Sequence, residues 1–376
     1  MQFNWEESEK LAKIEEFATD KVRKAASKID SLSEYPGQLV KEMANLGMFA
    51  LYIPRQYGGD GMSLHTLMEA VRIISRECAS TALILDVTVS LFAEPIMKYG
   101  NEVLKEEYLS RVATGEIGAL AITEPGAGSD AASIKATAKR EGNKYLIKGA
   151  KTFITNGKEA SFYVVSAMTS PENKHKGMTL FAVDRKSAGL SIGNEFRKMG
   201  IRGTSTTEVL LDNVEVGKDD VIGRVNEGFR IEMDTLNVGR IGIASQAIGI
   251  SEGAFSDVLR FASETQTEPK ENLKFRISDM ANLLHSSVRN YEEAIHHSES
   301  GNNSPLHSSM AKLQAGDSSV AITSSASEIL GYYAMTEEYP LERRYREAKI
   351  TQIYEGTNEI QRLVIAKEIL RSGIRF

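Results

Sequence analysis

The sequence predicts an α+β protein whose strands are confined to the middle of the chain. Three observations carry this. Apolar residues recur at helical spacing from Glu6 to about Val112. From about Ile117 the spacing gives way to short β-rich runs separated by turn clusters. From about Gly228 the helical period returns and continues to Leu370. Domains are accordingly placed at residues 1–116, 117–227 and 228–376, as the length of the chain allows.

In the first helical part, "SEKLAKIEEFATDKV" sets Leu11, Ile14, Phe17 and Val22 on one helix face. A second helix is expected just after Pro36, stopping near Gly47, and "PRQYGGDGMS" is then a glycine-rich loop. The longest apolar stretch, "TALILDVTVSLFAEPIM", is interrupted by Asp86, Glu94 and Pro95, so it reads as a buried helix rather than a membrane span. The strands are expected at "GALAIT", "SIKATAKREGNKYLIKGAKTFIT", "FYVVSAM", "GMTLFAVD" and "TEVLLDNVEV". The apolar face of "RIGIASQAIGISEGAFSDVLRFA" opens the last part. The polar segments Ser263–Asn272 and Ser298–Ser309 read as loops.

Composition narrows the function classes. The chain has 376 residues, 41% hydrophobic and 26% charged, enough to bury a substantial core. A net charge of −6 without a basic cluster argues against nucleic acid as a main partner. Cys78 is the single cysteine, so no internal disulfide forms and a reducing cytoplasm is expected. The acidic, amphipathic N-terminus does not read as a signal peptide. His296 and His297 are adjacent and diverge on a helix; with no HExxH pattern, no metal site is expected.

Four segments are candidates for chemistry. "TEPGAGSDA" (Thr123–Ala131) matches a dinucleotide fingerprint in part, but strand rather than helix follows it, so a Rossmann site is rejected. What remains is a glycine-rich loop, with Thr123 and Ser129, that either makes a plain turn or lets backbone N–H groups approach a flat ring or phosphate. In "KTFITNG", Phe153 and Thr155 share a strand face, suited to a planar cofactor or simply to the core. "NVGRIGI" sets Arg240 among apolar residues at a helix start, where it requires a carboxylate, an anionic ligand or a capping role. In "ITQIYEGTNEIQ" (Ile350–Gln361), Glu355 beside Ile353 and Tyr354 is either a solvated carboxylate or a catalytic base.

Together, "AITEPGAGSDA", "KTFITNG", "MGIRGTSTTEVLLDNVEV", "EGFRIEMDTLNVGRIGIASQAIGI" and "EYPLERRYREAKITQIYEGTNEIQRLVIAKEIL" resemble the acyl-CoA dehydrogenase family from about residue 5 to 375. The resemblance implies a helical N-terminal domain, a β-barrel-like middle domain and a C-terminal four-helix bundle, assembled as a homodimer or homotetramer. It implies FAD held by Leu120, Ile122, Thr123, Ser129, Phe153, Ile154 and Thr155, with Thr357 and Glu359 at flavin-side positions. Ser129, Asn237, Arg240 and Gly356 then lie near the substrate, an acyl-CoA or acyl-carrier protein. Glu355 corresponds to the base of the short- and medium-chain branch. In another branch the base precedes the helix arginine, and that position here is Gly239. The implied reaction is α,β-dehydrogenation to a trans-2-enoyl thioester, with electrons passed to an electron-transferring flavoprotein or equivalent acceptor.

Two motifs of the family are altered. An Arg-x-x-Phe-Gly run, which meets the neighbouring subunit's FAD diphosphate, is absent around "FASETQTEPKENLKFRISDM". A Gln-x-x-Gly-Gly-x-Gly motif is replaced by "EILGYYA", placing Glu328 and Tyr332 where repulsion and bulk are expected to weaken the diphosphate contact. A non-redox enoyl-thioester isomerase using the same glutamate is the alternative reading.

Overall fold

The computed structural model describes residues 3–265 and 271–373. Helices α1 (Trp5–Phe17), α2 (Arg23–Leu32), α3 (Gly37–Asn45), α4 (Leu64–Glu77), α5 (Ala79–Asp86), α6 (Glu94–Tyr99), α7 (Glu102–Leu104) and α8 (Ser110–Ala113) build the first part. The spacing that predicts α1 is met by burial of Leu11, Ile14 and Phe17. Its start is fixed by a capping box, in which Asn4 and Glu7 each accept the other's backbone N–H. The segment Val87–Ala93 continues α5 into α6 with wider π-type turns. The whole run Ala79–Tyr99 is long and apolar enough to cross a membrane, yet 94% of its apolar window is buried inside the protein. It is a core helix, and Asp86 lies inside it.

Eight strands follow: β1 (Gly118–Ala121), β2 (Thr137–Glu141), β3 (Lys144–Thr155), β4 (Phe162–Met168), β5 (Met178–Asp184), β6 (Leu190–Glu195), β7 (Thr206–Gly217) and β8 (Val221–Ile222). They form one sheet in the order β6-β7-β3-β2-β4-β5-β8, with β1 parallel to β4. Strand period explains how the sheet joins the two cores. On β4 and β5, Phe162, Val164, Leu180 and Ala182 enter the helical core, where Phe162 stacks on Phe92 at 4.4 Å between centroids. The alternate residues Tyr163, Val165, Phe181 and Val183 fill a separate β core. Both faces are therefore buried, which is why these two runs read as continuously apolar. Strands β6 and β8 are additions to the expected set: β6 is a half-exposed edge strand and β8 has two residues, so neither shows clear alternation.

The last part comprises α9 (Gly228–Glu264), α10 (Glu271–Glu299), α11 (Pro305–Leu330), α12 (Leu341–Ile350) and α13 (Asn358–Ser372). Helix α9 runs 37 residues and is buried on every side from Asn237 to Ser251, between α4 and α11. Two expectations are corrected here. Arg240 lies well inside α9 rather than at a helix start. The segment Ser263–Asn272, expected as a loop, belongs to α9 up to Glu264 and to α10 from Glu271; residues 266–270, which include part of the altered Arg-x-x-Phe-Gly region, lie outside the described residues.

Candidate active site

The turn between α12 and α13 aims Glu355 inward. Glu355 itself takes a left-handed conformation (φ 56°), followed by Gly356 at 89°. For a residue with a Cβ this costs on the order of 1–3 kcal/mol and persists only where its surroundings enforce it. They do so here. Lys312 Nζ on α11 donates to the Gly356 carbonyl at 2.8 Å and to Asn358 Oδ1 at 2.9 Å. Gln361 Nε2 donates to the same carbonyl at 2.8 Å, and the Asn358 N–H donates to the Gln352 carbonyl at 2.9 Å. Thr357 caps α13 by accepting from the Ile360 N–H. The Tyr354 hydroxyl is tied to Gln246 on α9.

The Glu355 side chain lies against α9 at Gly239, and its Oε2 is buried with no hydrogen-bond partner among the described residues. Burial, reinforced by the Asp86 carboxyl, lifts its pKa to about 8, while Arg240 and Lys312 pull the other way. Arg240, 5% exposed, donates to Asn237 Oδ1 at 2.8 Å, and its Nε has no partner among the described residues. Burial lowers this guanidinium to about 10 and the Lys312 ammonium to about 7, with the Glu355 charge opposing in both cases. A carboxylate raised toward neutral pH, water-poor and with a free oxygen, is equipped to accept a proton from a weak carbon acid.

Glu355 opens onto a cavity of about 750 Å³. Its apolar end is made by Leu83, Val87 and Leu91. Along one side, Phe229, Glu232, Met233, Leu236 and Arg240 recur at helical spacing, so a single stripe of α9 forms that wall. The lining also takes in Thr123, the 128–132 part of the glycine-rich loop, Phe153, Ile154 and Thr155. Phe153 is 61% exposed, has φ 56° and packs at 4.7 Å from Phe196, so it presents a flat ring to the cavity instead of the β core. A Cβ added at Gly126 or Gly128 would meet nothing within 4 Å, leaving that loop backbone open to a ligand. The loop is anchored from beneath by Lys151, fully buried, which donates to the Ile122 carbonyl at 2.9 Å and to Glu124 at 2.8 Å.

Of the residues singled out from sequence, Leu120, Ile122, Thr123, Ser129, Phe153, Ile154, Thr155, Arg240, Glu355, Gly356 and Thr357 all border this cavity. Two do not. Asn237 stands behind it, holding Arg240, and Glu359 is exposed on the first turn of α13. Glu328, expected to add unbalanced charge, is paired with Arg276 at 2.8 Å, so its repulsion is offset within the chain; Tyr332 is 81% exposed. Sequence reasoning missed Lys312 and the tuning effect of Asp86, although a charge inside an apolar run is a visible signal. It also weighed His296 with His297, whereas the fold stacks His297 on His307 at 3.7 Å beside Glu293.

Comparison with known proteins covers nearly the whole chain. Residues 5–116, 119–214 and 226–370 match the models for the acyl-CoA dehydrogenase N-terminal, middle and C-terminal domains. An acyl-CoA dehydrogenase of Bacillus subtilis is 39% identical over 363 residues, 95% of this chain and 96% of that protein. The solved butyryl-CoA dehydrogenase of Megasphaera elsdenii superposes with a TM-score of 0.94 at 34% identity, covering 99% of this chain and all of the other. A chain in a structure described as the electron transferring flavoprotein of Acidaminococcus fermentans gives 0.95 at 35% identity, with coverage of 99% and 100%.

Proposed function

Because the chain belongs to the acyl-CoA dehydrogenase family, we propose that Glu355 is the base that removes the α proton of an acyl thioester, yielding the trans-2-enoyl thioester. The protein is an oxidoreductase acting on a CH–CH group, with FAD as cofactor. The observation that carries the assignment of the base is the buried Glu355 Oε2, unpartnered and facing an apolar cavity.

The residues present fit a flavin. The flat Phe153 ring, the open glycine-rich loop and the Thr123 and Thr155 positions line the same cavity as the base. When bound there, FAD supplies the acceptor for the hydride that leaves Cβ. The chain does the rest. Leu83, Val87 and Leu91 hold the acyl chain and exclude water. The enforced turn at Glu355 and Gly356 holds the carboxylate at the substrate's Cα, so orientation is set before reaction. The Cα proton passes to the Glu355 carboxylate, which becomes a neutral acid suited to its buried site.

The proposed substrate is an acyl-CoA, with an acyl-carrier protein as the other thioester handle. The proposed electron acceptor is an electron-transferring flavoprotein, and the proposed assembly is a homodimer or homotetramer. The test is turnover of butyryl-CoA and longer saturated acyl-CoAs by FAD-loaded protein with an artificial electron acceptor, the products read by mass spectrometry. The expected product has lost two hydrogens. Unchanged substrate throughout the series, and with acyl-carrier proteins, would contradict the proposal.

A further inference from the structure

The base has a second acid beside it that the proposed mechanism does not use. Asp86 ends α5 in the most apolar run of the chain and is 1% exposed. Its Oδ1 accepts from the Ser90 hydroxyl at 2.6 Å, and its Oδ2 is buried without a partner among the described residues. Among the described residues no cation pairs with it. Its place against α9 is defined by a missing side chain: a Cβ on Gly242 would fall 2.1 Å from Asp86 Oδ1 and 2.7 Å from Oδ2. Glu355 meets the same helix at Gly239, where a Cβ would fall 2.7 Å from its Oε2. Residues three apart share a helix face and are separated by about 4.5 Å along the axis. Two buried carboxyls, each with an unpartnered oxygen, therefore lie against neighbouring glycines on one face of α9.

We infer that Asp86 is a positioning residue that sets the basicity of Glu355, the two carboxyls behaving as a coupled pair. The inference rests on Glu355 being the base. Negative charge on either carboxyl disfavours charge on the other, so the pair releases its protons in two separated steps. The groups that face Glu355 are Asp86 from α5, Arg240 from α9 and Lys312 from α11. Both cations hold Glu355 down, and Asp86 alone among its charged neighbours pushes it up. Burial already lifts Asp86 to about 7, against the Ser90 hydrogen bond, so its charge changes near neutral pH. Tyr354, next to the base and bonded to Gln246, feels the same Asp86 charge.

The experiment is pH-difference infrared spectroscopy of the carboxyl C=O stretch in the FAD-loaded protein, which needs no turnover. The band lost in Glu355→Gln belongs to Glu355, and the band lost in Asp86→Asn belongs to Asp86. In Asp86→Asn the Glu355 band is expected to titrate about one pH unit lower than in the parent. In Glu355→Gln the Asp86 band is expected to stay near its parent position, since Asp86, at about 7, ionises while Glu355, at about 8, is still neutral. An unmoved Glu355 titration in folded Asp86→Asn overturns the inference. If that variant fails to fold, Asp86→Ser removes the same charge, and an unmoved Glu355 titration there overturns the inference instead. Failure of the base assignment reads differently: Glu355→Gln would keep its turnover while the two titrations remained coupled.

Discussion

Gly239 and Glu355 occupy one space. A Cβ at residue 239 would stand 2.7 Å from Glu355 Oε2 and 2.6 Å from Leu91 Cδ2, so the carboxylate is seated where α9 has no side chain. Gly239→Ala is therefore expected to push the base off its position. Overpacking of this kind costs about 1–3 kcal/mol of stability, and a misplacement near 1 Å costs on the order of 100-fold in rate. Parallel measurement of kcat and of the melting temperature checks it. A variant with kcat at the parent value would show that Glu355 is not held there during reaction.

Glu355→Gln keeps the shape of the side chain and removes its ability to take a proton. Dehydrogenation is expected to fall by about a thousandfold, with flavin binding near the parent value and, at about pH 5, the melting temperature as well. Stopped-flow reduction of the flavin by an acyl-CoA gives the rate, and flavin titration gives the affinity.

The raised carboxyl pKa values fix the sign of two pH effects. Glu355 goes from an ordinary 4.5 to about 8, and Glu232, another buried cavity-wall carboxyl, likewise reaches about 8, both chiefly through burial. Between 4.5 and 8 the folded chain holds protons that the unfolded chain has released, so stability falls as pH rises through that window. Glu355→Gln removes one of these groups. Its melting temperature is expected to gain on the parent's as pH goes from about 5 to about 8, as thermal melts in a pH series would show. Activity runs the other way: kcat/KM is expected to rise toward pH 8 as the base of the free enzyme ionises.

Lys312 holds the turn rather than the substrate, through the Gly356 carbonyl and Asn358. Lys312→Met fills similar volume but strands one buried acceptor, Asn358 Oδ1, and leaves the Gly356 carbonyl to Gln361 alone, at about 1–3 kcal/mol. A lower melting temperature is expected together with a drop in kcat larger than any change in KM. Steady-state kinetics on the folded variant tests this, and a change confined to KM would contradict it.

The helical–β–helical order, the glycine-rich loop, the Phe153–Thr155 segment and Glu355 were all legible in the sequence because each is a local pattern. Strand period predicts one face for Phe153 and Thr155, and both border the cavity although Phe153 is left-handed within a register shift; "YEGT" declares a charged residue beside a turn. What escaped depends on distance along the chain. Lys312 acquires its role only when α11 packs under a turn more than forty residues further on. Asp86 was visible as an interruption, but its neighbour Glu355 comes from the far end of the chain. Arg240 was misplaced because α9 is buried on all sides there and offers no polar face to mark its register. The edge strand β6 was missed because half-exposed positions blur alternation.

The most direct test of the account is anaerobic visible spectroscopy of the FAD-reconstituted protein, before and after addition of saturated acyl-CoAs of several lengths, alongside Glu355→Gln. The account expects the oxidised-flavin band to bleach in the parent and to persist in the variant. Equal bleaching in both would remove Glu355 as the base, and a band unchanged in the parent, with flavin bound and every thioester tried, would contradict the dehydrogenase reading itself.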